Sequence, residues 1–359
     1  MKKILYILFV ASLLAVSCSK EKLVSKNHDI DAEVSDLKSK MELSVLYCNI
    51  NDAADASVLD LQLVGEYLTS KGADIVTMVA PADVNGTKFA TWLNAYAVEV
   101  GKVALAVENL DGRLCMGAIL PSDLDVEKID VPQGTTFNNA ILHFMANDIH
   151  FVVTELLDPR NAIPSDWEDQ ISAMEAAKKE TAIVYDPDNL ANRKVEVELL
   201  INRTLEFVDE KGVRPYAKDR NWFWCIDMNV ASNIDMKYGK EFARKDCYLY
   251  DDSSEAFFTY TSRYFTTPSE LLAATDPYFA LNDVMVKSGG LVDCVAVHHS
   301  VYTPSSVVLD GNATKERNNF LYATNGCWNM FESLSLDKAA VSALGTTHYP
   351  IMVTLKSEE

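Results

Sequence analysis

Five polar residues in this 359-residue chain stand beside or within apolar runs: Asn49, Asp227, Asn229, Asp293 and His348. Asn49 follows the run 43–48, and Asp227 and Asn229 follow 222–226. Asp293 sits inside 291–297, and His348 opens 349–355. Strands that end in polar groups hold them rigidly and deliver them to solvent, the usual placing of a reactive site. Carboxylate, amide and imidazole together suit phosphoryl transfer. A hard cation on carboxylate and amide oxygens neutralises phosphate, a base activates water, and donors keep the oxygens in line. Two residues apart on an extended chain, Asp227 and Asn229 point the same way. His348 would deprotonate water or hold a phosphate oxygen, with Asp293 fixing its tautomer. The same residues also admit a purely structural reading. Asp227 and Asn229 would then cap a loop through backbone amides, Asn49 would satisfy a turn, and Asp293 with His348 would be a structural pair.

The elements that must position these groups are legible in the periodicity. The run 43–50 alternates and reads as a first strand. Val58, Leu61, Val64 and Leu68 form a helix face over 56–70, ended by Lys71-Gly72. A short β-rich run, 74–79, stops at Pro81. A second helix covers 88–100, with Phe89, Trp92, Leu93 and Tyr96 on one side. Asp111-Gly112 joins 103–107 to 113–120 as a hairpin, and Asn147-Asp148 joins 139–145 to 149–157 as another. Helices are expected at 165–183 and 189–208, and strands at 222–226, 291–297 and 349–355. This order predicts two mixed sheets packed face to face with helices outside. Residues 230–290 read as an insertion between core strands. Trp222, Phe223 and Trp224 are expected in the core, and His298-His299, as neighbours on a strand, point apart.

The formal net charge is -20, and 48% of residues are hydrophobic. A strongly acidic surface argues against non-specific nucleic-acid binding, which rests on phosphate neutralisation. Lys2 and Lys3 precede a short apolar run, 4–16, as in a secretory leader. Ala15-Val16-Ser17-Cys18 resembles the lipobox of Bacteroidetes-type lipoproteins. That resemblance implies a signal peptide at 1–17, lipidation of Cys18, a polar tether over 18–40, and a domain from 41 to 359. It also implies a lipid-anchored place in the bacterial cell envelope, at the outer membrane and on either side of it. The membrane would be one partner, through the lipid, and an unknown ligand or protein the other. Cys48, Cys115, Cys225 and Cys294 lie in apolar runs and read as buried thiols. An oxidising compartment leaves room for one disulfide involving Cys247 or Cys327.

Taken in order, these fragments resemble the endonuclease/exonuclease/phosphatase superfamily as a divergent member. Asn49 falls where the family has its first-strand Asn. The segment 74–80 resembles Asp-Ile-hydrophobic-x-Leu-Gln-Glu, 226–229 resembles Gly-Asp-Phe-Asn, and 347–350 resembles the end of Ser-Asp-His-x-Pro. The resemblance implies a four-layer α/β/β/α sandwich and, in an active member, phosphoric ester hydrolysis with Mg2+ or Mn2+ on Asp227. The chain departs from the pattern where the metal-binding Glu is Ala80, the acid before the closing His is Thr347, the middle-strand His is Glu155, and the Gly before Asp227 is Ile226. Asp52, Asp83 and Glu155 are candidate substitute carboxylates. Two functions follow: a non-catalytic or weakly active ligand- or partner-binding protein with a degraded metal site, or a divergent metal-dependent hydrolase. A surface glycan-binding role is a third, resting on the anchor and scattered aromatics.

Overall fold

A computed structural model of the chain describes residues 42–51, 59–131, 139–156, 221–229, 289–299 and 318–356, with isolated positions 169, 172–173, 196 and 285–286. The expected leader, the tether with Cys18, Asp52, Cys247 and most of the insertion 230–290 lie outside the described residues. So do the helices expected at 165–183 and 189–208, apart from 169, 172–173 and 196, which are helical. The chain divides into two units. In the first, Met1–Leu43 with Lys356–Glu359, Glu42 and Lys356 approach to 3.6 Å. The second, Ser44–Leu355, contains all the features below.

The first sheet has six strands. In chain order they are β1 (Glu42–Asn49), β2 (Ile75–Pro81), β5 (Lys102–Glu108), β6 (Leu114–Pro121), β13 (Phe331–Leu336) and β14 (Ile351–Lys356), and they lie side by side as β13-β14-β1-β2-β6-β5. β1 and β2 run parallel, with Asn49 opposite Val79. A parallel pair needs a crossover, and α1 (Leu61–Lys71) supplies it. Its start is fixed by Asp60, which accepts from the Gln62 N–H at 2.8 Å. Its end is fixed by Gly72, whose φ of 60° suits a residue without a Cβ. After the small β3 (Asp83–Val84) and β4 (Thr87–Lys88) comes α2 (Phe89–Glu99), which buries Phe89, Leu93 and Ala97. These lie four apart, on one face. A Cβ on Gly117 of β6 would come 2.6 Å from Leu93 Cδ2, so this glycine lets α2 sit close to the sheet.

The second sheet has β7 (Val126–Ile129), β8 (Ile141–Ala146), β9 (Ile149–Glu155), β10 (Asn221–Asp227), β11 (Val292–Asp293) and β12 (Asn319–Ala323), ordered β11-β12-β10-β9-β8-β7. Asn147 and Asp148 join β8 to β9 with φ of 50° and 59°, the left-handed pair that a tight hairpin turn requires. β9 and β10 run parallel, and the other pairs of this sheet are antiparallel. The inner faces of the two sheets meet where Thr77 Oγ1 donates to Cys225 Sγ at 3.3 Å. Phe223 packs there on Phe331, with ring centres 5.7 Å apart. Trp222 and Trp224 alternate to the other face, stack on each other and are fully buried. They are core residues, as expected. The architecture is the mixed α/β class expected, two packed mixed sheets with helices outside. Among the described residues no helix is long and apolar enough to cross a membrane.

Some expectations need correction. The run 291–297 is not one strand. β11 ends at Asp293, and α3 (Cys294–His299) follows. Asp293 Oδ1 accepts from the Ala296 N–H at 3.2 Å, so the acid starts a helical turn within a run that periodicity alone cannot assign. His298 and His299 therefore sit on a helix and not on a strand. β12, β13, α4 (Asn325–Trp328) and α5 (Ala340–Leu344) were not expected. Cys327 is a free buried thiol, not half of a disulfide, as are Cys48, Cys115, Cys225 and Cys294. Burial pushes the Cys115 and Cys225 thiols up to about 12, so they stay protonated.

Asp337 links the end of β13 to α1 and α5. It lies 2.5 Å from Lys71 Nζ, accepts from Tyr67 OH at 3.2 Å and accepts from the Ala340 N–H at 3.2 Å. Partial burial raises its carboxyl, but Lys71 and these donors outweigh it and hold the pKa below the ordinary value of 3.8. A depressed folded pKa means stability that is present above the unfolded value and lost as pH falls through the folded one. Asp337→Asn should therefore lower stability at pH 7 by about 1–2 kcal/mol. The difference should shrink below pH 3.8 in urea titrations at several pH values.

Candidate functional site

The candidate site is a polar cluster at the carboxyl ends of the parallel pairs β1–β2 and β9–β10. Alternation along β1 sends Leu46 and Cys48 to the helix-side core, so Tyr47 and Asn49 face the second sheet. Alternation along β10 sends Cys225 and Asp227 to meet them. Glu155, the last residue of β9, is the register partner of Asp227. Asn319, the first residue of β12, is opposite Asp227 on the other side. Asn49, Glu155, Asp227, Asn319 and His348 are all buried.

Asparagine amides hold both acids. Asn49 Nδ2 donates to Asp227 Oδ2 at 2.5 Å and to Asn319 Oδ1 at 3.1 Å. The Asn229 N–H donates to Asp227 Oδ1 at 2.8 Å. Asn229 Nδ2 donates to Glu155 Oε1 at 3.0 Å and to Leu156 O at 2.8 Å. Asn51 Nδ2 donates to Glu155 Oε2 at 2.6 Å. Each of the four carboxylate oxygens thus accepts an N–H, as buried acids require. Asn229 adopts φ 53°, a left-handed conformation that asparagine tolerates better than most side chains. That turn brings its own amide back onto both acids.

His348 Nε2 lies 3.5 Å from Asp227 Oδ2. Its backbone N–H donates to Thr346 Oγ1 at 3.2 Å, and that hydroxyl donates to the Asn49 carbonyl at 2.9 Å. The segment before β14 is thereby tied to the end of β1. Tyr47 OH reaches Asn319 Oδ1 at 3.4 Å. Burial, then the charges of Asp227 and other neighbours including Glu155, raise the Tyr47 hydroxyl well above its ordinary value and keep it a donor.

Of the five sequence-derived residues, Asn49, Asp227, Asn229 and His348 converge on this cluster. Asp293 stands at the start of α3, where it caps the turn. Of the candidate substitute acids, Glu155 is in the cluster. Asp83 is exposed in the β3–β4 turn, where it accepts from the Gly86 N–H and lies 3.9 Å from Lys88. Tyr47 and Asn319 were missed. Asn319 precedes a buried apolar run, the same signal that singled out His348, and only the unrecognised strand β12 hid it.

Ala80 requires a second correction. In register Asn49 is opposite Val79, and Ala80 belongs to the cluster on the other face of β2, with Met78, Cys115, Phe89 and Leu93. The position read as a vacated metal ligand thus starts from the helix-side core and not from the face that carries Asn49.

The fit of a divalent ion can be tested on the donor set. Magnesium asks for near-octahedral oxygen with one or two carboxylates. Two carboxylates are present, but each of their oxygens already accepts an amide N–H, so a cation would compete with those donors. Among the described residues no group of three His, Cys, Asp or Glu side chains could hold a metal ion. On this observation the set fits a divalent ion poorly.

No protein-family model matches the sequence, and no curated protein matches it. Solved structures do. A 3'-5' exonuclease, NExo, from Neisseria meningitidis aligns with 88% of this chain and 100% of its own at 12% identity, with a TM-score of 0.51. A variant form of the 3' phosphatase NExo from Neisseria, bound to a product DNA hairpin, aligns with 88% of this chain and 99% of its own at 13% identity and a TM-score of 0.50. The chain has the fold of these endonuclease/exonuclease/phosphatase-type proteins. At such identities the likeness concerns the fold alone.

Ala80→Glu should destabilise the protein by about 3 kcal/mol or more, the cost of an uncompensated buried charge. Thermal unfolding in the presence and absence of manganese checks this. Full stability together with a manganese-dependent rise in Tm would show that position 80 does reach the cleft.

Proposed function

We infer that this chain uses the fold of phosphate-ester-processing enzymes to present a polar cleft that binds a ligand or partner, with little or no hydrolysis. The carrying observation is the occupancy of the acids: the four oxygens of Glu155 and Asp227 accept N–H donors from Asn49, Asn51 and Asn229. A cation would have to compete with these donors for the same oxygens. The chain is anchored by lipid on Cys18 in the bacterial cell envelope, a reading supported by the lipobox-like 15–18 and the polar stretch after it.

A metal-dependent phosphoric ester hydrolase is the second reading, and one observation favours it. Glu155 and Asp227 are register partners at adjacent strand ends, with the His348 imidazole 3.5 Å from Asp227. In that reading the two acids would hold Mg2+ or Mn2+, which would supply charge neutralisation for phosphate. Asn49 and Asn229 would orient the phosphate, and His348 would act as base or phosphate ligand.

The full chain, purified in detergent, is to be assayed with phosphomonoester and phosphodiester substrates in magnesium or manganese. The expected outcome is turnover at the background level, unchanged in Asp227→Ala and His348→Ala. Metal-dependent turnover that both substitutions abolish would establish the hydrolase. Cys18→Ser should move the protein from the membrane fraction to the soluble fraction. If it stays with the membrane, the lipid anchor is wrong.

A further inference from the structure

A sheet edge exposes a row of unpaired N–H and C=O groups, and proteins blunt such edges with short strands, bulges or charges. Among the described residues the two six-stranded sheets have four edges, and three of them are blunted in these ways. β11 has two residues. β7 has four, with Glu127 and Lys128 in its middle. β13 carries Glu332, Ser333 and Ser335 and a register shift between Phe331 and Ser333. β5 carries charge only at its two ends, Lys102 and Glu108. It runs for seven residues, Lys-Val-Ala-Leu-Ala-Val-Glu, in unbroken register with β6, and no residue in it is fully buried. Six large apolar side chains stand out as exposed among the described residues, and four lie between 98 and 110. They are Val98 at 70%, Val100 at 37%, Val103 at 42% and Leu110 at 78%. Val103 lies in β5, and the other three lie in the segments that lead into it and out of it; exposed apolar surface marks a contact site.

The β5 sequence is its own complement when reversed. An antiparallel pairing of two copies centred on Leu105 sets Lys102 opposite Glu108 of the second copy. Val103 then faces Val107, Ala104 faces Ala106, and Leu105 faces its own counterpart. Residues of opposite charge stand opposite each other at both ends of the ladder, and the middle is apolar on both sides. In the single chain Lys102 Nζ donates to the carbonyls of Ala73 at 2.5 Å and Asp74 at 3.0 Å, so its ammonium reaches inward across β6 toward the start of β2.

The backbone agrees with this register. The Asn109 N–H donates to Leu114 O at 2.9 Å, just past the last β5–β6 pair. Residues that exchange hydrogen bonds alternate along an antiparallel pair. Residues 103, 105 and 107 therefore turn their backbone groups to β6, and Lys102, Ala104, Ala106 and Glu108 turn theirs outward. Centring on Leu105 sets even-numbered residues opposite even-numbered residues, so outward groups meet outward groups. A shift by one residue would lose that match.

We propose that this chain forms a homodimer by antiparallel pairing of β5 with β5 of a second copy, joining their six-stranded sheets across a twofold axis at Leu105. The association does not depend on the reading of the cleft.

Sedimentation velocity of the full chain in detergent, over a concentration series, should show a monomer–dimer equilibrium. Leu105→Lys sets two ammonium groups face to face and should weaken association at least about tenfold. Under mild oxidation L105C chains should cross-link into covalent dimers, because residue 105 meets itself. A104C chains, whose residue 104 meets 106, should cross-link no more than the unsubstituted chain. The Leu105→Cys change is mild, so its cross-linking stands as a readout if Leu105→Lys fails to fold. A chain that stays monomeric throughout overturns the proposal. So does a dimer unaffected by Leu105→Lys, and so does equal cross-linking in A104C and L105C.

Discussion

Burying two carboxylates is expensive unless every oxygen finds a donor, and this constraint organises the centre of the molecule. Glu155 and Asp227 are brought together by the parallel register of β9 and β10. They are satisfied from three directions, by Asn49 on the first sheet, by Asn51 just beyond it, and by Asn229 on the turn after β10. The left-handed backbone at Asn229 and the hydroxyl tie from Thr346 to Asn49 both follow from the same requirement. Asparagine is suited to the task because one amide donates twice and carries no charge of its own.

Much of the scaffold was legible in the sequence, because its signals are local. Alternation gave β1, a continuous apolar run gave β10, the Gly72 stop gave the end of α1, and the two hairpins announced themselves by Asp111-Gly112 and Asn147-Asp148. The failures at β13 and at 291–297 have physical causes. β13 was missed because a bulge between Phe331 and Ser333 breaks the two-residue period on which recognition depends. β12, Asn319–Ala323, was missed although apolar runs of the same length were recognised at 103–107 and 222–226. The run 291–297 was misread because Asp293 starts a helical turn inside it, and an apolar stretch of that length fits either state.

The cleft was legible as residue types and illegible as geometry. Polar residues at the ends of apolar runs pointed to Asn49, Asp227, Asn229 and His348, and the same rule would have found Asn319 had its strand been recognised. The side of β2 on which Ala80 lies depends on the register of β2 against β1, a long-range fact that no local pattern carries. The partnership of Glu155 with Asp227 has the same origin. Fold likeness adds the frame, with NExo aligned over 88% of this chain at TM-scores of 0.50 to 0.51, and leaves the chemistry to the side chains.

Asn49 reaches from the first sheet to Asp227 and Asn319 on the second, and Tyr47 reaches to Asn319 beside it. The floor of the cleft is therefore also the clasp between the two layers. Its backbone protons at the ends of β1 and β10 belong with the slowest in the molecule to exchange with deuterium, since freeing them means parting the sheets. Occupancy of the groove and cohesion of the sandwich share one cooperative unit. Whatever settles on those amides is felt throughout the protein as a change in its resistance to opening.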